Sequence, residues 1–530
     1  MTTSLNNAVS SLEKYCQQSG SIAPLTFHRG VEREGLRVNK NTGRISHQPH
    51  PKELGSTLTH SSVTTDYSEA LLEFITKVHP SVEGVLQELA NIHLYVNHVL
   101  ANNNECLWPA SMPGYIDGND DVPIAEYGTS NTGKLKHIYR QGLSHRYGRV
   151  MQCIAGMHYN FSFDDEFWHF LRQFKAIPAN EKSDQDFRSD SYFALIRNFR
   201  RSSWLLPLLF GASPAIDSSF LNGKSSDLSS LSEDSLTKEN AVSLRMSDLG
   251  YSNDAQASLY VCYNEVDTYI QTIRNALTTP FPPYEEIGVK VNSEYRQLNS
   301  NILQIENEYY SDVRPKRVTR PSEHPSAALR DRGVEYIEIR IMDLDPFSAV
   351  GMNEETLYFI DVYLLYCMLA GDNKLSSDDC AKLKKLQQDV VKNGRNLNAN
   401  FDFLSGKKTI KAKADKFLND ILSVAQMLTN VTGNKHYVDS VNAQIDKLNS
   451  VNGLPSAKVM ALTEEKGSYA KAMLEIANQQ QSDWLTQNVP EDIKQKFTKE
   501  AEESIAAQLE IERNDQVPFD EFLQAYQQPQ

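Results

Sequence analysis

Four short segments of this chain place apolar residues on one side of a strand and charged residues on the other. They are residues 30–38, 63–76, 302–310 and 333–347. Successive side chains of a β-strand point to opposite faces, so residues two positions apart share a face. The pattern therefore favours a sheet with one apolar face against a core and a second face that carries acids.

The acidic residues recur at this two-residue spacing. Glu32 and Glu34 lie two apart in the first segment, while Arg33 points the other way. Glu306 and Glu308 repeat the spacing in the third segment, which we also predict to be a strand. Each pair should lie on one face of its strand.

The fourth segment places an acid and an arginine in an apolar strand. Its isoleucines at positions 337, 339 and 341 form one face, and Glu338 and Arg340 lie on the other. Charges between β-branched residues are costly to bury unless they are paired or bind a metal. The segment therefore predicts that Glu338 and Arg340 belong to a site.

The second segment allows two interpretations. Asp66 and Glu69 have the spacing of a capping box, which would open a helix. Alternatively, residues 71–76 form a strand with Glu73 near its centre. The phenylalanine, isoleucine and threonine that end the segment favour the strand.

Solvated acids on the wet face of an antiparallel sheet would explain any one of these segments. Several carboxylates on one face, however, would repel one another unless divalent cations lay between them. Oxygen ligands favour Mg²⁺ or Mn²⁺, and Mg²⁺ is usually held together with substrate phosphates. His158, which shares a strand face with Asn160 and Ser162, is either a structural histidine or a further ligand through a neutral ring nitrogen.

Two other segments invite a nucleotide interpretation. Residues 128–135, GTSNTGKL, nearly match the P-loop pattern, but Leu135 stands where a Mg²⁺-binding hydroxyl is needed and no clear strand precedes them. We expect no P-loop there, and favour a loop whose backbone amides bind an anion or a substrate. The basic residues 314–320 either attract nucleotide phosphates or lie in a solvated loop.

Composition excludes several classes of protein. The net charge of −15 lacks the basic footprint of a nucleic-acid binder and disfavours anionic membrane surfaces. The longest apolar run, residues 204–216, is shorter than the ~20 residues of a membrane span, and the N-terminus has no signal-peptide pattern. Six scattered cysteines without a C-x-x-C pair predict reduced thiols. We expect a cytoplasmic protein that binds neither nucleic acid nor membrane.

The predicted secondary structure changes along the chain. Strand-like and helical segments mix up to about residue 350, and the pattern after that is helical nearly throughout. Residues 217–240 are rich in serine and predict a mobile surface loop or flap. Further helices are predicted from Ser81, over residues 413–428, over residues 468–480 and from Pro490.

These strings resemble, in order, those of the proteobacterial type of glutamate–cysteine ligase. The resemblance runs from about Arg29 to Phe347, and the helical last third matches only loosely. The strings are RGVEREGLRV, TTDYSEALLEFIT, YGTSNTGKLK with YRQGLSHRYG, MQCIAGMHYNFSF, LFGASPA, LRMSDLGY, NSNILQIENEYY with RPKRV, and GVEYIEIR.

The resemblance implies the fold of the glutamine-synthetase-like ligases. We expect an α+β protein built on a curved, mostly antiparallel sheet with a carboxylate-lined concave face, surrounded by helices. Residues 1–350 would form the catalytic core, and residues 351–530 a helical region packed on it.

The resemblance also implies roles for individual residues, through the strings that match those of the family. The metal ligands would be Glu32, Glu34, Asp66, Glu73, His158 and Glu338. Arg340 would act on the transferring phosphoryl group together with Glu338, and Asn160 and Arg245 would bind glutamate. The cysteine pocket would comprise Tyr139, Arg140, Gln152, Ile154, Tyr251 and Tyr310. Tyr67, beside Asp66, would replace a phenylalanine of relatives near that pocket.

The implied activity is ATP-dependent ligation of the γ-carboxylate of L-glutamate to the amine of L-cysteine through a γ-glutamyl phosphate. Products would be γ-glutamylcysteine, ADP and phosphate, in the first step of glutathione biosynthesis. Mg²⁺ would be required, with Mn²⁺ as a substitute; we expect a monomer, with glutathione as a feedback inhibitor. The rivals are a related ligase with another amine acceptor and a non-enzymatic nucleotide or metal sensor, which would not need Glu338, Arg340, Arg245 and the tyrosines together.

Overall fold

An antiparallel sheet at the centre of the protein is built from strands that lie far apart in sequence. The structure, a computed structural model, describes residues 3–250, 254–257, 259, 261–320 and 323–528. The strands in these residues are β1 (Phe27–Asn39), β2 (Val63–Thr65), β3 (Leu71–Ile75), β4 (Glu105–Leu107), β5 (Met157–Phe163), β6 (Ala215–Asp217), β7 (Ser229–Ser230), β8 (Ser235–Thr237), β9 (Lys290–Val291), β10 (Glu294–Tyr295), β11 (Val313–Lys316), β12 (Tyr336–Met342), β13 (Asn400–Phe403) and β14 (Gly406–Thr409).

Helices make up most of the remaining regular structure. They are α1 (Thr3–Ser19), α2 (Val82–Asn102), α3 (Asn131–Tyr147), α4 (Asp165–Phe174), α5 (Asp184–Ser202), α6 (Leu205–Phe210), α7 (Asp254–Ala257), α8 (Val266–Thr278), α9 (Pro282–Ile287), α10 (Pro325–Arg332), α11 (Glu354–Leu369), α12 (Ser377–Asn393), α13 (Ile410–Thr432), α14 (His436–Lys447), α15 (Pro455–Lys466), α16 (Tyr469–Leu485), α17 (Glu491–Asn514) and α18 (Phe519–Tyr526).

The large sheet has the strand order β11–β12–β5–β1–β3–β2, with β4 paired to the far end of β1. All of these pairings are antiparallel. The long strand β1 bridges the two halves, because it pairs with β5 on one side and with β3 on the other. The α+β class with an antiparallel sheet and a largely helical last third is therefore confirmed.

The apolar face of the sheet packs on helices from both parts of the chain. The isoleucines of β12 are almost completely buried, as the alternation predicted. Helix α11 is buried from Thr356 to Leu369 and packs against α5, α13 and α14. Tyr159 of β5 donates a hydrogen bond to Asp361 of α11 at 2.6 Å. One continuous core thus joins the sheet to the C-terminal helices, and a domain boundary at residue 350 remains a prediction.

The strand interpretation of residues 71–76 is confirmed by β3, and the predicted helices correspond to α2, α13, α16 and α17. Ser81 caps α2 by accepting a hydrogen bond from the backbone N–H of Gly84 at 3.1 Å. A short hairpin, β13–β14, interrupts the otherwise helical last third.

Two predictions about local structure are wrong. Residues 302–310 form no strand but a loop with a single 3₁₀ turn at Glu306–Glu308. Glu306 accepts hydrogen bonds from Ser326, and Glu308 accepts one from the backbone of Gln304. These contacts bend the backbone away from the extended form that the spacing suggested.

The serine-rich residues 217–240 are not simply a loop. They contribute β7 and β8, which form a small antiparallel sheet with β6. Ser235 is buried, and its hydroxyl accepts a hydrogen bond from the backbone N–H of Tyr469 at 2.8 Å. Side-chain hydroxyls bonded to neighbouring backbone groups thus provide order that composition alone did not indicate.

Candidate active site

Cross-strand pairing lines up the predicted site residues on one face of the sheet. Glu34 of β1 stands opposite Glu73 of β3, and Glu32 stands opposite His158 of β5. Glu338 of β12 stands opposite Asn160, again on β5. Directly paired residues point to the same side of a sheet, so residues from four strands meet on what we call the carboxylate face.

His158 lies at the centre of the carboxylate face. Its Nδ1 atom is 3.1 Å from a carboxylate oxygen of Glu32 and 3.6 Å from one of Glu338. On the other side of the ring, Nε2 is 3.6 Å from Glu34. The two ring nitrogens therefore face two different groups of carboxylates.

These contacts define two groups that could hold a metal ion. The first comprises Glu32, His158 and Glu338, and the second comprises Glu34, Glu73 and His158. Within each group the donor atoms lie within 4.8 Å of one another. A neutral imidazole offers one lone pair, so His158 can serve only one of the two groups at a time.

Asp66 belongs to neither group but lines the adjoining cavity. The donor set of carboxylate oxygens and one imidazole nitrogen suits Mg²⁺ or Mn²⁺. The residues present thus fit a divalent cation, and the roles of the six predicted ligands remain predictions.

Positive groups surround Glu338. Arg340 Nη1 donates a hydrogen bond to it at 2.7 Å, and Lys316 Nζ lies 3.3 Å from its other oxygen. Burial alone would raise the pKa of Glu338, but Lys316 and Arg340 outweigh burial and hold that pKa well below its usual value. Glu338 is therefore ionised and available as a ligand.

The opposite end of the face carries excess negative charge. Burial raises the pKa of Glu34, and burial together with Glu32 and Asp66 raises the pKa of Glu73 well above its usual value. Neighbouring carboxylates disfavour ionisation when no cation lies between them. A divalent cation bound here would remove this repulsion, which is the electrostatic signature expected of a metal site.

Arg245 supports the carboxylate face from its edge. Its Nη2 atom donates to the backbone oxygen of Arg340 at 3.0 Å, and its Nη1 atom lies 3.6 Å from Asp343. Gly156 allows this approach, because a Cβ atom there would lie 2.2 Å from Arg245 Nη2. Asn160 donates to Glu32 at 3.0 Å. Both predicted glutamate-binding residues thus lie next to the carboxylate face.

A cavity of about 110 Å³ opens beside the carboxylate face, and we call it the acceptor cavity. Four of the six predicted cysteine-pocket residues line it, namely Tyr139, Arg140, Gln152 and Tyr310. Ile154 is fully buried and is not among its lining residues. Tyr251 lies outside the described residues. Glu34, Asp66 and Arg340 also line the cavity, so it is continuous with the carboxylate face.

One buried ion pair and a tyrosine hydrogen bond fix the far wall of the acceptor cavity. Glu308 accepts hydrogen bonds from Arg146 Nη1 at 3.0 Å and from the hydroxyl of Tyr147 at 2.6 Å. The two-residue spacing of Glu306 and Glu308 predicted a strand and indicated neither of these partners. The Arg-Tyr pair of YRQGLSHRYG was visible, but nothing in the sequence connected it to an acid 160 positions away.

Other residues of the site were also missed or only partly seen. Arg314 and Lys316, from the basic stretch, lie on the carboxylate face, since they pair with Glu338 and Tyr336 across β11 and β12. Asp343, 1% exposed at its side chain, pairs with Arg245. An isolated acid at the end of an apolar strand was the available signal for Asp343.

Residues 128–135 do not form a P-loop. Ser130 caps α3, and a strand does not lead directly into the loop. The backbone N–H of Thr129 donates to Glu512 at 2.8 Å, and that of Asn131 donates to Asp515. These backbone amides are bonded to carboxylates of the same chain, and binding of an anion or a substrate at this loop remains a prediction.

Two further observations concern the setting of the site. Among the described residues, none of the helices combines the length and apolar character that a bilayer crossing requires. The serine-rich residues 217–240 contribute no residue to the lining of the acceptor cavity.

Comparisons with known proteins agree with this geometry. The family model for glutamate-cysteine ligase matches residues 14–390. A curated glutamate–cysteine ligase from Hahella chejuensis is 43% identical over 506 residues, covering 94% of this chain and 95% of that protein. One from Pseudomonas putida strain W619 is 45% identical over 499 residues, with 94% of each chain covered.

One solved structure comes from the same family, and a second shows the same fold. The crystal structure of glutamate–cysteine ligase from Francisella tularensis in complex with AMP has a TM-score of 0.88 and 36% identity, covering 95% of this chain and 97% of that one. A bifunctional glutathione synthetase from Pasteurella multocida, 22% identical with a TM-score of 0.69, shares the fold over 89% of this chain and 55% of its own. With a family model over most of its length and relatives above 40% identity, the chain belongs to the glutamate–cysteine ligase family.

Proposed function

We propose that this protein joins the γ-carboxylate of L-glutamate to the amine of L-cysteine, with cleavage of ATP to ADP and phosphate. The product is γ-glutamylcysteine, and the reaction is the first step of glutathione biosynthesis. Membership of the glutamate–cysteine ligase family supports the reaction. The observation that carries the proposal is that two clusters of candidate metal ligands lie on the carboxylate face beside the acceptor cavity, which Arg340 lines.

Glu32 and Glu338 would hold one Mg²⁺ or Mn²⁺ ion, and Glu34 and Glu73 another, with His158 assigned to one of them. A bound divalent ion supplies charge neutralisation of the phosphate oxygens and aligns donor and acceptor. The chain itself supplies fixed ligands. Glu32 and Glu34 lie on β1, His158 lies on β5, which pairs with β1, and Glu338 lies on β12, which pairs with β5. Glu73 is held by β3, which also pairs with β1.

Arg340 would stabilise charge on the transferring phosphoryl group. Its hydrogen bond to Glu338 orients the guanidinium along the carboxylate face. Lys316, on the neighbouring strand, adds a second positive charge on the same side. Fixed positive groups stabilise the charge that develops in phosphoryl transfer.

Transfer of the γ-phosphoryl group to glutamate makes the side-chain carboxyl reactive, and attack by the amine of cysteine then expels phosphate. Asn160 and Arg245 would position glutamate at the edge of the carboxylate face. Tyr139, Arg140 and Tyr310 line the acceptor cavity, where cysteine, whose amine accepts the γ-glutamyl group, would bind. The four tyrosines among the lining residues of the cavity would help to keep water from the acyl phosphate; they are Tyr67, Tyr139, Tyr147 and Tyr310.

A cytoplasmic location is part of the same proposal. All six cysteines are free thiols, and five of them are buried. Free thiols are typical of reducing compartments, which supports a cytoplasmic location. Monomeric behaviour and inhibition by glutathione would be measured by light scattering and by titration of the product-forming rate.

Product identification tests the reaction directly. Purified protein with ATP, Mg²⁺, glutamate and cysteine should yield γ-glutamylcysteine by mass spectrometry, with ADP and phosphate in equal amounts. Omitting the divalent cation or either amino acid should stop ADP formation. Release of AMP and pyrophosphate would contradict the proposal, because it would indicate adenylate activation.

The amine acceptor needs its own experiment, because a related ligase could prefer another small amine. Cysteine and 2-aminobutyrate differ in the thiol, so competition between them at equal concentration reports on recognition of that group. We expect the cysteine product to predominate. Equal product amounts would leave the ligase chemistry intact but assign a broader acceptor range.

A further inference from the structure

The C-terminal segment of the chain packs on the outer side of two elements that lead into the acceptor cavity, α3 and the segment after β10. Helix α17 ends beside the start of α3, and α18 then lies across α3 and the segment that follows β10. We call residues 512–528 the C-terminal brace. Neither the proposed chemistry nor the near-match to a P-loop assigns it a role.

The first contact of the C-terminal brace is electrostatic. Glu512 accepts a hydrogen bond from the backbone N–H of Thr129 at 2.8 Å, and Asp515 accepts one from that of Asn131. The side chain of Asn131 donates to the backbone oxygen of Val517 at 2.8 Å. Free N–H groups at a helix N-terminus favour negative charge. The two acids therefore bind at the N-terminus of α3, the place where a P-loop would bind a phosphate.

The second contact is apolar. Leu523 of α18 is 5% exposed and forms a cluster with Ile138 of α3 and Leu298. Tyr139 packs against the same cluster, and it is also a lining residue of the acceptor cavity. Tyr139 therefore packs against the apolar cluster of the C-terminal brace on one side and lines the acceptor cavity on the other.

The third contact is with the opposite wall. Gln527 donates to the backbone oxygen of Leu298 at 2.7 Å, and His324 lies 2.8 Å from the backbone oxygen of Tyr526. Gln304, a few residues after Leu298, donates to the backbone oxygen of Tyr139 at 3.2 Å. The C-terminal brace thus holds α3 and residues 298–304 together from outside.

Both of these elements continue into the lining of the acceptor cavity. Helix α3 contributes Tyr139 and Arg140, and the segment after residue 304 contributes Glu308 and Tyr310. Of the other lining residues, Glu34, Arg314 and Arg340 lie on the central sheet, which is held by its own strand pairing, and Met151, Gln152 and Gln256 lie on short helical segments outside it. A change in the C-terminal brace should therefore move the amine-acceptor side of the site and leave the carboxylate face in place.

We propose that the C-terminal brace is a positioning element that sets the spacing of the two acceptor-cavity walls and thereby the affinity for the amine substrate. This inference rests on the proposed ligase function. The residues of the C-terminal brace touch no substrate; they act through α3 and residues 298–304.

Leu523→Ala is the central test, because it opens the apolar cluster between the two walls. We expect the KM for cysteine to rise at least about fivefold, equivalent to about 1 kcal/mol, while the KM values for glutamate and ATP change by less than about twofold. Leu523→Met, which nearly conserves volume, should restore the KM for cysteine. Asp515→Asn, which keeps the shape and removes the charge, should act in the same direction and remains informative if Leu523→Ala does not fold.

Glu510→Gln is the matched control, since Glu510 is an exposed acid on α17 outside the C-terminal brace. Its kinetic constants should equal those of the wild type. A merely structural role would lower the melting temperature and kcat together and leave every KM unchanged, and that result in Leu523→Ala or Asp515→Asn would overturn the inference. Failure of the wild type to form γ-glutamylcysteine would instead contradict the proposed function.

Discussion

At the scale of single residues, the site depends on how Glu338 and Arg340 share one strand face. They lie two positions apart on β12, and their side chains are in direct contact at 2.7 Å. A simple structural ion pair would show the same contact. The neighbourhood of His158 and Glu32, and the opening of the acceptor cavity at Arg340, favour a role in the reaction.

Glu338→Gln should reduce turnover far more than stability. Glutamine nearly preserves the shape but removes the charge of a metal ligand, so we expect kcat to fall on the order of 10²-fold. Steady-state kinetics and thermal unfolding of the same preparation measure the two effects. Glu335→Gln, a change at an exposed position three residues earlier, is the control. A large loss of stability with turnover retained would make Glu338 a structural residue.

Arg340→Lys separates charge from geometry. Lysine keeps the positive charge but lacks the planar, forked donors of a guanidinium. A plain partner of Glu338 would tolerate the change, whereas a group that brackets a phosphoryl oxygen would not. We expect folding and ATP binding to change little and turnover to fall at least about tenfold, roughly 1.4 kcal/mol. Near-wild-type turnover, measured beside equilibrium nucleotide binding, would remove Arg340 from the mechanism.

At the scale of elements, the start of α3 shows how one local pattern can serve different partners. A glycine-containing loop before a helix presents backbone N–H groups to any anion. In this chain those donors are bonded to Glu512 and Asp515 from the end of the molecule. The motif predicts binding of an anion or a substrate, and the groups bonded to these amides are carboxylates from the end of α17, 383 and 384 positions later.

Leu135→Ser completes the P-loop pattern on paper and tests this assignment. Because Glu512 and Asp515 already bond to the backbone donors of residues 129–131, the added hydroxyl should not improve Mg·ATP binding. Isothermal titration of wild type and variant with Mg·ATP is the measurement, with Leu135→Ala as control for the lost side chain. A clear gain in affinity, specific to serine, would reinstate a phosphate site at α3.

At the scale of the whole molecule, the sheet and the C-terminal helices form one folded unit. Arg29 of β1 pairs with Asp361 of α11 at 2.5 Å, and both side chains are almost completely buried. Tyr159 of β5 donates to the same carboxylate. This buried network connects the strand that carries Glu32 and Glu34 to the helical last third.

Asp361→Ala should therefore destabilise the protein as a whole. It leaves the guanidinium of Arg29 buried without its carboxylate, which typically costs about 3–5 kcal/mol. Chemical denaturation should show one cooperative transition shifted to lower denaturant. Asp389→Ala breaks an exposed pair with Lys385 on α12 and should cost less than about 1 kcal/mol. Similar losses in the two variants would contradict the importance of the network.

The pH dependence of stability should contain a contribution from His50. Both of its ring nitrogens are buried, and burial, aided by Arg37, lowers its pKa to about 3. The unfolded chain, with a pKa of about 6.5, takes up a proton first as the pH falls. The contribution is thus complete above pH ~6.5 and is lost progressively toward pH ~3.

Between pH ~6.5 and ~5, His50 should account for a loss of roughly 1–2 kcal/mol in the free energy of unfolding. His50→Leu removes the titrating group, so its free energy of unfolding should fall less steeply over this interval. Denaturant unfolding of both proteins at several pH values gives the difference. Parallel pH profiles would show that His50 is not buried in its neutral form.

The sequence by itself determined the strands of the carboxylate face, because alternation of apolar and acidic residues is a local property with a period of two. Residues 30–38 and 333–347 could therefore be assigned to strands with Glu32, Glu34 and Glu338 on one side. Helix starts such as Ser81 were equally local. The residues of the site could be named because uncommon strings recur in the family.

Only the tertiary structure decided how these pieces meet. Residues 302–310 carry the same two-residue spacing as β1, yet Glu308 bonds to Arg146 and Tyr147, which no local pattern connects to it. Register sets Glu34 opposite Glu73, and chain packing brings Asp515 to α3. Such contacts join residues far apart in sequence, and their energies depend on burial and on the partner, which a strand or helix period does not encode.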